Sequence, residues 1–329
     1  MQAEAADAER RLKNVLTEKS LQTAMYYWLE LRGNMYSEYM ARFTEGEGGG
    51  GSVVARGWRT FLSNLLSSPP EEVIIEKVVK KPRGGSGTNP YLAARKVVSY
   101  TEVIEPMTLG RRILDIRAQL AAELFHDLEL IESENERDLE LIESENERVQ
   151  QFYQDELRYG IKEATRLRLR TWQPVVDTDA INSTDTPYRS SLYLAVLALV
   201  TKVSLERYKK ELRIVGDKHT LAWLDKIGDA NLTLSGNDLI EAMLNGPMVL
   251  INDGKDRARP KVVQPLRVAA DVVQPLRVAA EVMALRVSVV REFKGLLAGV
   301  PQEHQALIQG VLERQLRARA SGDSEDMLS

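Results

Sequence analysis

An eleven-residue phrase, DLELIESENER, occurs twice in succession between Asp127 and Arg148. An α-helix turns about 100° per residue, so eleven residues advance it by about three turns and change its phase by only some 20°. The apolar residues of the second copy therefore fall on the same helical face as those of the first. The duplication predicts one continuous helix, lengthened by roughly 16 Å, and two copies are too few for a solenoid of repeats.

The apolar face of this helix predicts that another helix packs against it, inside the chain or from another chain. The opposite side is strongly charged, since the two copies hold ten carboxylates and only two arginines. An asparagine in each copy lies near the apolar face, and a buried asparagine often fixes the register between helices. The predicted helix-partnering face consists of Leu128, Ile131, Asn135, Leu139, Ile142 and Asn146.

A second duplication has a period of ten. VVQPLRVAAD (262–271) is followed directly by VVQPLRVAAE (272–281). Ten residues change the helical phase by about 80°, and Pro275 removes a helix hydrogen bond, so a break is expected before Pro275. Two unrelated periods indicate independent tandem insertions, or errors in the sequence itself, rather than a repeat array. We therefore expect the extra copies to be dispensable for function and stability.

Two segments near the first third of the chain differ from the helical pattern. EEVIIEKVVKK and KVVSYTEVIEP are rich in β-branched residues and predict an antiparallel hairpin at about 71–106 with a long polar tip. Most of the remaining chain has helical spacing. The predicted fold is mainly α with a small β-hairpin, long amphipathic helices and a C-terminal helical bundle. The predicted regions are 1–172, with the hairpin and an acidic helix at about 109–170, then the bundle at 173–320 and a disordered tail at 321–329.

Composition excludes several kinds of chemistry. The chain has no cysteine, so disulfides, thiolate catalysis and cysteine-ligated metals are excluded. Its three histidines are far apart in sequence, and His304, in a first helical turn, has no recognisable partner. We therefore expect no cofactor and no metal. No apolar run approaches the length of a membrane span, and the acidic N-terminus resembles neither a signal nor a transit peptide.

The hairpin tip carries the strongest basic cluster. Lys77, Lys80, Lys81 and Arg83 precede two glycines whose amides could contact a phosphate. The glycines do not open a helix and no G-x-x-x-x-G-K motif is present, so a solvated tip is the simpler interpretation. These four residues are nevertheless the predicted contact for a partner or a phosphate, and the last three would carry an alternative role in RNA binding.

An enzymatic alternative rests on the segment 177–189. Asp177, Asp179 and Arg189 could line a pocket beside the C-terminal bundle. The acidic spacing does not match a calcium loop, and caps and turns account for such residues. A nucleophile with its base is not recognisable anywhere in the chain, so an enzyme is the less favoured class.

Two stretches, GWRTFLSNLLSSPPEEVIIEKVVKKPRGGSGTNPYL and YTEVIEPMTLGRRILDIRAQLAAE, resemble segments of uncharacterised plastid proteins of algae and plants. The resemblance covers about a third of the chain and includes no diagnostic motif. It implies a location in the plastid stroma, with the cytoplasm as the alternative.

The functional prediction combines scarce reactive groups with abundant amphipathic helices. It is a non-enzymatic protein that binds other proteins, as a scaffold or assembly factor. Nucleic-acid binding is the less favoured alternative, because the formal net charge of −4 does not favour a polyanionic partner.

Overall fold

The computed structural model describes residues 2–30, 34–46, 51–79, 96–159, 188–231, 237–244, 249–250, 272–273 and 275–326. Within these residues the fold is mainly helical with an antiparallel hairpin, as predicted. The helices are α1 (Gln2–Glu30), α2 (Asn34–Glu45), α3 (Val53–Arg56), α4 (Trp58–Ser67), α5 (Pro106–Tyr159), α6 (Arg189–Val215), α7 (Lys218–Asn231), α8 (Asn237–Leu244), α9 (Pro275–Ala298) and α10 (Val300–Asp326). The strands are β1 (Glu71–Val79), β2 (Lys96–Ile104), β3 (Val249–Leu250) and β4 (Val272–Val273).

The chain forms two compact units, and each combines segments that are distant in sequence. Unit 1 comprises Met1–Lys19 and Ala118–Pro301, and unit 2 comprises Ser20–Arg117 and Gln302–Ser329. Helices α1 and α5 contribute residues to both units. The sequence predicts a single boundary, at 172–173, because apolar periodicity identifies helices without revealing which distant helices pack together.

Helix α5 is 54 residues long and passes through both copies of DLELIESENER without a break, which confirms the predicted continuous helix. It begins at Pro106, and proline suits a first helical position because its φ is already helical and its missing N–H would have no partner there. Leu128 and Ile131 of the first copy are buried, and so is Ile142 of the second. The duplication therefore keeps one apolar face buried, as the phase argument requires. The predicted continuation of this helix at 160–170 lies outside the described residues.

The core of unit 1 includes the second copy of the phrase. Helix α9 packs against α6 and α8, and α7 packs against both of these as well. Ile142 is 1% exposed within this core, and Leu139 packs against it. The second copy therefore contributes side chains to the core, and the expectation that it is dispensable stays a prediction. The buried cluster consists of Ile142, Leu205, Tyr208, Leu212, Leu224, Leu239, Ile240, Met243, Val278, Ala279, Val282 and Met283.

Helix α6 has clear boundaries at both ends. It begins after Tyr188, which has a positive φ of 66°. It ends at Gly216, whose φ of 84° is left-handed and therefore suits glycine. The N–H groups of Gly216 and Asp217 both donate to the carbonyl of Leu212, at 2.9 and 3.0 Å. These bonds satisfy a carbonyl that the end of the helix would otherwise leave without a partner.

The ten-residue duplication does not form a continuous helix. Helix α9 begins at Pro275, inside the second copy, which confirms the expected break before this proline. The two preceding valines form β4, which pairs antiparallel with β3. This pairing was not predictable from the sequence, because a two-residue strand has no measurable periodicity. The first copy, 262–271, lies outside the described residues.

Helix α4 is central to the core of unit 2. Phe61, Leu62 and Leu65 are fully buried, and the ring of Phe43 from α2 meets that of Phe61 edge to face at 5.5 Å. Gly110 allows the first turns of α5 to approach α4 closely, since a Cβ there would lie 2.7 Å from a methyl carbon of Leu66. A larger residue at this position would force the Leu66 side chain to move.

The hairpin confirms the two predicted strands. Strands β1 and β2 pair along their whole length, from Glu71 opposite Ile104 to Val79 opposite Lys96. Ile104 is buried, whereas Ile74 on the opposite face is exposed. The polar tip, 80–95, lies outside the described residues.

Helix α10 extends further than expected. It continues to Asp326, so six residues of the segment 321–329, for which the sequence predicts a disordered tail, are helical. Each added helical residue gains one backbone hydrogen bond, and Gly322 costs only about 1 kcal/mol relative to alanine.

Candidate interaction surface and charged groove

The predicted basic cluster falls mostly outside the described residues. Lys77 lies in β1, opposite Val98. Lys80, Lys81 and Arg83 belong to the tip, which the structure does not describe. Their predicted role in partner, phosphate or RNA contact therefore stays a prediction.

The residues of the enzymatic alternative are divided in the same way. Asp177 and Asp179 lie outside the described residues, whereas Arg189 is the first residue of α6. Its guanidinium donates to a carboxylate oxygen of Asp127 at 2.8 Å, and its side chain is largely buried. Arg189 thus takes part in an ion pair between α6 and α5.

The predicted helix-partnering face of α5 packs within the chain. Leu128, Ile131, Asn135 and Ile142 are buried. Asn135 is the polar residue on this face, and its amide nitrogen has no hydrogen-bond partner among the described residues. A buried amide without a partner costs about 1–3 kcal/mol, so Asn135 lowers the stability of this face. Leu139 is partly buried against the core of unit 1, and the side chain of Asn146 lies outside the description.

The carboxylates of the first copy are engaged by basic residues. Glu132 accepts hydrogen bonds from Arg291 at 2.6 Å and from Lys294 at 2.9 Å, both on α9. These bonds, that from Arg291 above all, hold the pKa of Glu132 below its usual value. Glu136 also accepts a bond from Arg291, at 2.5 Å. The first copy is therefore attached to α9 by a network of charged hydrogen bonds.

The second copy has a different electrostatic setting. Burial raises the pKa of Asp138, and the nearby Arg286 opposes that rise. Arg286 is itself buried, and burial lowers its pKa to about 10, so it stays charged at neutral pH. Glu143, the counterpart of Glu132, is exposed and has no ion pair in the described part of the chain.

The side of α5 that faces away from the core carries two leucines and a set of carboxylates. Leu130 is 40% exposed and its counterpart Leu141 is 52% exposed, on one helical face roughly 16 Å apart. Glu140, Glu143 and Glu147 are exposed too, at helical spacing of three and four residues, and lie roughly 100–160° around the helix from the leucines. We call these five residues the outer surface of α5.

Unit 2 holds a buried arginine that no motif in the sequence marks. Arg117 is fully buried, and its guanidinium lies over the ring of Trp58 at 4.3 Å. It contacts Nε2 of His304 at 2.7 Å. Arginine can only donate, so this imidazole nitrogen must accept and the ring must be neutral. Burial, with the positive charge of Arg117, lowers the pKa of His304 to about 4, which keeps the ring neutral at pH 7.

A groove between α4 and α10 lies beside this arginine, within unit 2. Its volume is about 400 Å³. Glu303 connects the two features, because it lines the groove and its carboxylate lies 3.6 Å from the Arg117 guanidinium. The lining residues are Arg59, Thr60, Ser63, Asn64, Glu303, Ala306, Leu307, Gly310 and Arg314, and we call this site the α4–α10 groove. No motif in the sequence marks it, because its walls come from helices about 240 residues apart in the chain.

Known proteins give no further guide to these sites. Comparisons with protein-family models, curated proteins and solved structures find no match to the chain. Among the described residues, no group of three or more acidic or histidine side chains could hold a metal ion. No helix in the described part of the chain is long and apolar enough to cross a membrane.

Proposed function

We propose that this protein binds other proteins, as a scaffold or assembly factor, and that it uses the outer surface of α5 to do so. The observation that carries the proposal is the pair of exposed leucines, Leu130 and Leu141, on one face of a long helix. Single exposed leucines are normal on protein surfaces, but two on one helical face, with a row of exposed carboxylates roughly 100–160° around the helix, form a broad amphipathic binding strip.

The charges of this strip specify the chemistry of its partner. Glu140, Glu143 and Glu147 have no ion pair among the described residues, whereas Glu132 and Glu136 of the first copy are occupied by α9. A complementary partner is a helix with apolar residues on one face and lysine or arginine beside them. Such a helix would lie along α5 and cover both leucines.

A defined peptide tests the proposal. The probe is a fluorescent amphipathic helix made of lysine and leucine, and the control probe replaces each lysine with glutamate. We expect the lysine peptide to bind more tightly, with affinity that falls as salt is raised, because surface charge attraction is screened. Fluorescence anisotropy measures the affinity of each peptide and its dependence on salt.

Matched variants locate the binding surface. The double substitution Glu140→Lys/Glu147→Lys should weaken lysine-peptide binding at least about tenfold at low salt, since like charges repel. The control Glu211→Lys/Glu281→Lys makes the same charge change at two other exposed positions of unit 1 and should have a much smaller effect. Equal loss in the two double variants would show that net charge alone attracts the peptide, and would contradict the proposal.

Leu141→Ser tests the apolar part of the strip without a change of charge. We expect weaker binding of the same peptide, because the leucine side chain buries apolar area on contact. Unchanged binding would rule out the leucines as contacts. Affinity capture from cell extract, with the same variants compared by mass spectrometry, would then identify proteins whose retention depends on this surface.

A further inference from the structure

The α4–α10 groove carries an excess of positive charge. Glu303, the one carboxylate among the described residues that line it, lies 3.6 Å from Arg117, so the buried guanidinium offsets its charge. Arg59 and Arg314 also line the groove, and neither has a carboxylate within 4.0 Å in the part of the chain that the structure describes. A surface depression with two arginines available for ionic contacts favours an anionic ligand.

The two arginines line the groove from different helices. Arg59 and Ser63 are four residues apart on α4 and therefore lie on one face of that helix. Arg314 of α10 reaches across the groove and donates from Nη2 to the hydroxyl oxygen of Ser63 at 2.6 Å. It also donates from Nε to the carbonyl oxygen of Gly310 at 3.0 Å. These bonds hold Arg314 in place and use two of its five N–H groups, so three remain for a ligand.

The size and remaining walls of the groove suit more than a bare ion. Its volume of about 400 Å³ lies in the range of small-molecule sites, roughly 300–1,000 Å³. Ala306 and Leu307 provide an apolar wall. Gly310 provides an open wall, because a Cβ added there would meet no atom within 4 Å.

We infer that the α4–α10 groove binds a small phosphate monoester, with its phosphate held by Arg59 and Arg314 and its organic part against Ala306 and Leu307. A guanidinium matches the oxygen geometry of phosphate with two parallel N–H bonds. The hydroxyls of Thr60 and Ser63 lie on the α4 wall and can donate to further phosphate oxygens. The site lies in unit 2 and does not depend on the proposed role of the outer surface of α5.

Titration calorimetry of the full chain, in buffer free of phosphate and sulfate, tests this inference. The probes are phenyl phosphate, inorganic phosphate and benzoate. We expect phenyl phosphate to bind most tightly, because it combines a dianion with an apolar body. Binding of inorganic phosphate at equal affinity would overturn the organic part of the assignment, and tighter binding of benzoate would overturn the phosphate part.

Substitution of the two arginines locates the phosphate. Arg59→Gln and Arg314→Gln should each weaken phenyl phosphate binding by about tenfold, because each removes a charged hydrogen-bond donor. Both side chains are exposed, so the thermal midpoint of each variant should stay close to that of the wild type. Affinity unchanged in both variants would place any binding elsewhere and overturn the inference.

Position 310 offers a matched pair that does not alter the arginines. Gly310→Glu places a carboxylate four residues before Arg314, where a helical ion pair occupies that guanidinium and repels phosphate. Gly310→Ala also replaces the glycine but adds no charge, and the space around the added Cβ is open. We expect phenyl phosphate binding to be lost in Gly310→Glu and retained within about twofold in Gly310→Ala. Equal affinities in the two variants, both correctly folded by circular dichroism, would overturn the site.

Discussion

The two copies of DLELIESENER have one sequence and two environments. In the first copy Glu132 accepts bonds from Arg291 and Lys294, whereas its counterpart Glu143 is exposed without an ion pair among the described residues. Asp127 is paired with Arg189 at 2.8 Å, whereas Asp138 lies near the buried Arg286. Identical residues on one helix therefore differ in their ion pairing and pKa only because different side chains pack against them.

The apolar residues of the two copies differ in burial at one of two positions. Ile131 and Ile142 are equally buried, but Leu128 is 0% exposed while Leu139 is only partly buried. The phase change of about 20° between the copies moves the second set slightly around the helix and leaves the main contact intact. The comparison teaches that a tandem duplication with a period of eleven can join an existing core while its charged residues remain available for other partners.

Deletion of one copy should have the largest effect. Removal of 138–148 places Val149, Gln150 and Tyr153 where Asp138, Leu139 and Ile142 now lie. The core of unit 1 then loses two aliphatic side chains and must accommodate a larger ring, so we expect a loss of about 3–5 kcal/mol in the free energy of unfolding. Urea denaturation, monitored by circular dichroism, measures this free energy in the shortened chain and the wild type.

A rescue variant provides the control for the deletion. Gln150→Leu/Tyr153→Ile, made in the shortened chain, restores aliphatic residues at the two core positions. We expect most of the lost stability to return. A shortened chain as stable as the wild type without this rescue would show that the second copy does not support the core.

The continuous helix was predictable because the evidence for it lies within one segment. Eleven residues and 3.6 residues per turn are enough to predict that Leu128 and Ile142 share a face. The hairpin was predictable for a similar reason, since β-branched runs on either side of a polar tip pair locally. The break before Pro275 follows from the chemistry of proline alone.

The α4–α10 groove was not predictable, because its chemistry depends on distant pairings. Arg59 and Arg314 have no local pattern that distinguishes them from other exposed arginines. His304 lies in a first helical turn with no partner nearby in sequence, because its partner Arg117 is 187 residues away. The division of the chain into two units, each made of segments distant in sequence, was not predictable for the same reason. Helix periodicity does not indicate which helices meet.

Substitution of Leu128 or Leu139, which differ in burial, should have a smaller effect on stability. Leu128→Ala removes a fully buried side chain and should cost about 3 kcal/mol, through lost burial and the cavity that remains. Leu139→Ala makes the same change at a partly buried position and should cost about 1 kcal/mol. Urea midpoints of the two variants, measured together, give the difference directly. Equal costs would mean that the two copies pack equally well, against the observed difference in burial.

The smallest expected effect concerns Glu132 and Glu143. At pH 7, Glu132→Gln should lower the free energy of unfolding by about 1 kcal/mol, because it weakens charged hydrogen bonds to Arg291 and Lys294. Glu143→Gln should change it by less than about 0.5 kcal/mol, as exposed substitutions usually do. Urea denaturation at pH 7 and at pH 3 measures both variants against the wild type.

The lowered pKa of Glu132 determines how the stability difference between these variants changes with pH. The pKa of Glu132 is lowered in the folded protein from 4.5, so its stabilising contribution is complete above that pH and is lost as the pH falls through the lower folded value. The difference between wild type and Glu132→Gln should therefore shrink between pH 7 and pH 3, while Glu143→Gln follows the wild type at both. A difference for Glu132→Gln that stays constant down to pH 3 would assign the effect to lost packing instead of lost charge. An equal, pH-dependent loss in Glu143→Gln would show that the second copy also pairs its carboxylates, which would leave the outer surface of α5 less charge to offer a basic partner.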